Sequence, residues 1–222
     1  MSRKTKIIAA IILLLILAGG AAWYFLGDSD MQTLSAPTGP TGGMVISAHD
    51  TTLGNPHAKV TLIEYAAPMC PVCARFNEET FPQLKSTFID TGKVFYVFRV
   101  MPIGPADAPA EKLARCQPRN KYFAFIDLLF RSQQSWDPEY GVTDVRGGLQ
   151  ALAKSVGMSD DAINACLADT HADDTINQVA QDGVTRYGID STPSIVIDGT
   201  LRPKMAQWDD LKAELERELA SK

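Results

Sequence analysis

The chain has 222 residues, with 26 acidic against 21 basic side chains and a formal charge of −5. That balance argues against nucleic acid as a partner, because no cationic surplus is available to neutralise phosphates. The sequence carries no internal repeat, which excludes a solenoid or an array and leaves room for one sizeable core.

Arg3, Lys4 and Lys6 precede an uncharged run from Ile7 to Leu26 that ends in Trp23, Tyr24 and Phe25. Roughly 20 residues, or about 30 Å of helix, are enough to cross the hydrocarbon core of a bilayer. The basic flank places residues 1–6 in the cytoplasm, the aromatics form an interfacial belt, and residues 7–26 read as a transmembrane anchor. A cleaved signal peptide is the competing reading, since Ala18-Gly19-Gly20-Ala21-Ala22 offers small residues to a peptidase. Either way the remainder is exported, and without the N-terminal cations its charge is about −8. Residues 27–43, rich in Gly, Ser, Thr and Pro, read as a flexible linker.

Val60 to Ala66 is a short apolar run, and Val94-Phe95-Tyr96-Val97-Phe98 is a second strand candidate. Between them a helix is expected, with Pro71 in its first turn, Phe76, Phe81, Leu84 and Phe88 along its apolar side, and a kink at Pro82. From Asp107 to Tyr187 the pattern is wholly helical, carried by residues such as Phe125, Leu129, Leu149, Leu152, Ile163 and Leu167. Strand character returns at Ser194-Ile195-Val196-Ile197, and the chain closes with an amphipathic helix bearing Trp208, Leu211, Leu215 and Leu219. The predicted order is β-α-β, a helical block, then β and a final helix.

Four cysteines fall in this frame: Cys70 and Cys73 at the first strand-to-helix junction, then Cys116 and Cys166. Two thiols three positions apart at a helix start can form a local disulfide, and the helix's positive end favours a thiolate on the first. If that pair cycles, Cys116 and Cys166 remain as partners for a structural bridge in an oxidising compartment; two buried free thiols are the alternative. Zinc would need more ligands than Cys70 and Cys73, and His49, His57 and His171 form no cluster in sequence. Haem attachment would need histidine where Ala74 stands. No metal and no cofactor are therefore expected.

Cys70-Pro71-Val72-Cys73 on the junction, Glu64-Tyr65 shortly ahead of it, and Ser191-Thr192-Pro193 before the late strand together resemble the DsbA-like thiol:disulfide oxidoreductases. The resemblance covers residues 44–220 and implies an α/β architecture: a thioredoxin fold (residues 44–106 and 188–222) with an all-helical subdomain inserted at 107–187. It further implies that Cys70 is the exposed nucleophile, Cys73 the buried partner that resolves mixed disulfides, and Pro193 a cis proline beside them. Pro71 and Val72 tune the pair, the backbone at Thr192 meets an extended substrate, and Glu64 moves protons to and from the buried thiol. The implied substrates are thiols of exported proteins. The implied redox partner is a membrane protein of the DsbB or DsbD type.

Val72 departs from the best-known members, which carry histidine there, and offers neither charge nor hydrogen bond to a thiolate. The direction of electron flow therefore stays open between an oxidase and a reductase or isomerase. A copper-binding role for Met69, Cys70 and Cys73 is the alternative outside redox catalysis, since thiolate and thioether suit copper(I). The expected setting is the inner membrane, with the catalytic domain as a monomer in the periplasm, or a soluble periplasmic protein if the N-terminus is cleaved.

Overall fold

The computed structural model describes residues 44–222. The expected anchor at 7–26 and linker at 27–43 lie outside the described residues, and among these no helix is long and apolar enough to cross a membrane.

Five strands form one sheet in the order β1-β3-β2-β4-β5, with β1 Thr51–Leu53, β2 Val60–Ala66, β3 Val94–Val100, β4 Ser194–Ile197 and β5 Thr200–Arg202. β2 and β3 run parallel, joined by a helical crossover as parallel neighbours require, while β1, β4 and β5 pair antiparallel. Every residue of β2 and β3 is buried. Both faces of the sheet are covered, so these strands read as continuous apolar runs without alternation. One face carries Val60, Leu62, Tyr96 and Phe98 against Phe76, Leu84, Leu211 and Leu215. The other carries Ile63, Tyr65, Phe95 and Val97 against Met44 and Ile189.

The sequence pattern does not announce β1 or β5. Three residues are too few for a period to register in β1. β5 returns through a tight turn in which Asp198 (φ 48°) and Gly199 (φ 85°) are both left-handed, the backbone a two-residue hairpin needs.

Helix α1 spans residues 71–89 without a break. α-helical turns at Pro71–Arg75 and Phe81–Leu84 alternate with wider π turns at Phe76–Thr80 and Lys85–Ile89. Pro82 lacks the N–H that would continue the ladder, and the π turn just ahead of it absorbs that loss inside the helix.

Six helices follow β3: α2 Asp107–Arg115, α3 Tyr122–Arg131, α4 Gln133–Trp136, α5 Val145–Ser155, α6 Asp160–Ala168 and α7 Thr170–Asp182; α8 Trp208–Ala220 ends the chain. Asp144, Ser159 and Asp169 cap α5, α6 and α7, each side chain accepting from a backbone N–H of the first turn. Trp136 is fully buried, and its indole N–H donates to the Leu129 carbonyl at 2.9 Å, locking α4 beneath α3.

A disulfide joins Cys116, at the end of α2, to Cys166 in α6 across 50 residues of chain. Closing such a loop restricts the unfolded chain by about 4 kcal/mol in the chain-entropy treatment. Replacing Cys116 and Cys166 together by serine is expected to lower stability by about 2 to 4 kcal/mol, read as a shift in urea midpoint, with the helical far-ultraviolet signal retained.

Candidate active site

Cys70 is the N-cap of α1. Its backbone is extended (φ −75°, ψ 117°), and its Sγ accepts the Cys73 backbone N–H at 3.2 Å. The first turn thus turns its unpaired donors toward one sulfur, as it would toward any anion at a helix start. The thiol of Cys70 is lowered from 9.0 to about 6, chiefly by a hydrogen bond from the Cys73 thiol and further by the amides of Cys73 and Val72, with burial opposing. Cys73 is fully buried, and that burial, with the neighbouring Cys70 and Glu64 charges, pushes its thiol far up. The two sulfurs share a turn yet titrate in opposite directions.

Cys70 itself is only 4% exposed, which corrects the expectation of an open nucleophile. The loop ahead of β4 covers it, and its Sγ lies 3.4 Å from the Thr192 carbonyl oxygen. The Thr192–Pro193 peptide bond is cis. Antiparallel register between β2 and β4, with Tyr65 opposite Ser194, delivers this loop to the motif. Pro71 and Val72 are the exposed members of the motif, and Val72, at 39%, puts an apolar side chain at the surface beside the covered sulfur.

Glu64 lies within β2, opposite Phe98 on one side and Ile195 on the other, and is 2% exposed. Burial raises its carboxyl to about 8; the Tyr96 hydroxyl, which donates to Oε2 at 2.7 Å, opposes this, and the Cys70 charge adds to it. A carboxyl near 8 holds its proton at neutral pH and can surrender it when a stronger base forms nearby. Glu64 also faces a cavity of about 190 Å³ lined by Phe81, Tyr96, Phe123 and Ile126, large enough to admit water.

Three groups here carry no signal in the sequence pattern. Asp107, fully buried, accepts N–H bonds from Met69 (2.7 Å), Ile103 (2.8 Å) and Gly104 (2.8 Å), tying the strand-to-helix loop to the start of α2. Gln133, also buried, donates to the carbonyls of Pro68 (2.7 Å) and Cys70 (3.2 Å). Tyr96 sits in the apolar stretch Val94–Phe98 of β3, with no polar neighbour in sequence to mark it. Apart from the two local bonds from Ile103 and Gly104 to Asp107, these contacts join residues 32 to 65 positions apart in the chain, beyond the reach of any local period. Met69 is 3% exposed and its thioether occupies the space where a side chain on Gly104 would start, a packing role. Among the described residues no group of three or more His, Cys, Asp or Glu gathers as a metal site.

Comparison with known proteins places this geometry. The family model described as thioredoxin matches residues 47–217. The crystal structure of Wolbachia pipientis alpha-DsbA1 superposes with a TM-score of 0.73 at 27% identity, covering 82% of this chain and 96% of that one. Oxidised BdbD from Bacillus subtilis gives 0.67 at 26% identity, covering 77% and 93%. In sequence, disulfide bond formation protein D of Bacillus subtilis is 26% identical over 179 residues, 77% of each chain. A Rickettsia bellii protein whose name proposes a protein-disulfide oxidoreductase is 31% identical over 132 residues; the match spans 59% of this chain and half (50%) of that relative. The chain belongs to the thioredoxin family and resembles its DsbA-like members.

Proposed function

We propose that the protein introduces disulfides into exported proteins by passing on a bond between Cys70 and Cys73. The observation that carries this reading is the split between the two thiols, Cys70 held near 6 and Cys73 far above its ordinary value. A thiolate stabilised in the reduced form makes the corresponding disulfide a better oxidant.

In the forward direction a substrate thiolate attacks Cys70 Sγ of the disulfide. The Cys70–Cys73 bond breaks and Cys73 leaves with the electron pair. Its high proton affinity then draws a proton, and Glu64, neutral at pH 7 and close enough for its charge to act on Cys73, is the donor. A second substrate thiolate attacks its own sulfur in the mixed disulfide, and Cys70 departs as a thiolate held by the Cys73 N–H. The substrate loses two electrons and the cysteine pair gains them. The backbone at Thr192, beside Cys70, pairs with the extended substrate chain, with Pro71, Val72 and Pro193 completing the surface.

The reduced pair is returned to the disulfide by a membrane redox partner. The domain of residues 44–222, with its helical part at 107–187, works outside the cytoplasmic membrane, tethered by residues 7–26 or released after their cleavage, as a monomer. Val72 supports a second reading with the electron flow reversed, because it adds nothing to hold the thiolate.

Catalysed oxidation of a reduced, unfolded secreted protein, together with equilibration of the Cys70–Cys73 couple against glutathione, tests both. A potential shifted toward about −120 mV supports the oxidase reading. A value near about −270 mV would transfer the assignment to a reductase.

A further inference from the structure

Beside the motif runs a groove of about 430 Å³ between α1 and the junction of α3 and α4. It begins at Pro71, the residue after Cys70, and its walls include Arg75 and Glu78 on one side and Arg131, Gln133 and Tyr140 on the other. Gln133 is spent on the Pro68 and Cys70 carbonyls and accepts from the Tyr140 hydroxyl at 3.4 Å, so that wall is fixed. Arg131 is committed to Asp127 through two contacts of 2.9 and 3.0 Å and stands 4.0 Å from Glu78. Arg75 is different: it is exposed and makes no ion pair among the described residues. It lies one helical turn beyond Pro71 on the same side of α1, about 6 Å along the axis. An extended chain covers about 6 to 7 Å in two residues, so a peptide leaving Cys70 along the groove brings its second or third residue to this guanidinium.

We infer that this groove seats the partner segment flanking its reacting cysteine and that Arg75 favours a carboxylate two or three residues from that cysteine. The inference rests on the disulfide-exchange reading above and names the substrate feature it selects. The occupant is an extended polypeptide with a local acidic residue. The chain's overall charge of −5 disfavours broadly acidic partners, so the preference is positional and not a matter of net charge.

The test uses the full chain, reduced, and three peptides identical except for Glu, Gln or Lys at the second and third positions after a single cysteine. Each cysteine carries a 5-thio-2-nitrobenzoate leaving group. Cys70 thiolate attacks the peptide sulfur, a Cys70–peptide disulfide forms, and the coloured thiolate leaves with the electron pair. At low salt the Glu peptide is expected to react about threefold faster than the Lys peptide, the ratio shrinking at about 0.5 M salt. Arg75→Glu is expected to invert the order. Equal rates for the three peptides, or a Glu preference that survives Arg75→Glu, would overturn the inference while leaving disulfide exchange intact. No reaction with any peptide would instead remove the exchange reading itself.

Discussion

Replacing Cys73 with serine is expected to turn the protein into a covalent trap. Cys70 keeps its place at the cap of α1, and a serine hydroxyl can donate to its sulfur as the Cys73 thiol does, so the first attack on a partner disulfide proceeds. Resolution does not, because serine supplies no thiolate to break the mixed disulfide. Turnover should fall by at least about a thousandfold. Partner proteins should accumulate as adducts that run as discrete bands on non-reducing gels and vanish with reductant. Cys70→Ser should give no adducts. Adducts of the Cys73→Ser protein that decay at the wild-type rate would mean that Cys73 is not the resolving thiol.

Glu64 carries the second large effect, on stability as a function of pH. The folded chain holds this proton up to about 8, whereas a carboxyl in the unfolded chain releases it near 4.5. Below 4.5 both states are protonated and burial of the acid is harmless. Between 4.5 and 8 the folded state binds more protons than the unfolded one, so stability declines as pH rises. Across that window the loss is on the order of 5 kcal/mol, an upper figure because the charge of Cys70 contributes to it. Glu64→Gln keeps an acceptor for the Tyr96 hydroxyl and removes the titration. Urea unfolding of the oxidised proteins from pH 4.5 to 8.5 should show the wild type losing several kcal/mol and the variant about 1 or less. The oxidised form is the one to compare, since Cys70 acts oppositely when reduced. Lowered from 9.0 to about 6, it stabilises the reduced fold progressively as pH climbs between those values. Parallel slopes for wild type and Glu64→Gln would mean that this carboxyl titrates as it does in water.

The junction between β2 and α1 was legible because it is local. An apolar run, a cysteine at the cap and a proline in the first turn lie within a dozen consecutive residues, so spacing alone aligns the Cys73 N–H with the Cys70 sulfur. The strands β2, β3 and β4 and the helical stretch from Asp107 to Tyr187 were legible for the same reason. β5 leaves only its turn in the sequence: Asp198-Gly199 is a hairpin signal, but the three residues of the strand are too few to show a period. Asp107 and Gln133 were not legible: a side chain that satisfies a backbone group on a distant segment leaves no period behind. The setting of Glu64 was not legible either. A strand buried on both faces gives no alternation to show which neighbour a polar residue meets, and only the fold brings Tyr96 to it. The expectation that Cys70 is exposed came from the resemblance and not from local spacing; the Thr192 loop that covers it arrives from 122 residues away.

Arg99 in β3 binds Asp50 through contacts of 2.8 and 2.7 Å, and also reaches the Tyr65 hydroxyl and the Val45 carbonyl. Residues 44–50 are thereby fastened to the face of the sheet opposite the one that holds Cys73. The fastening of residues 44–50 and the reactive turn therefore occupy opposite sides of one sheet, joined through β2, whose Tyr65 hydroxyl also accepts from Arg99.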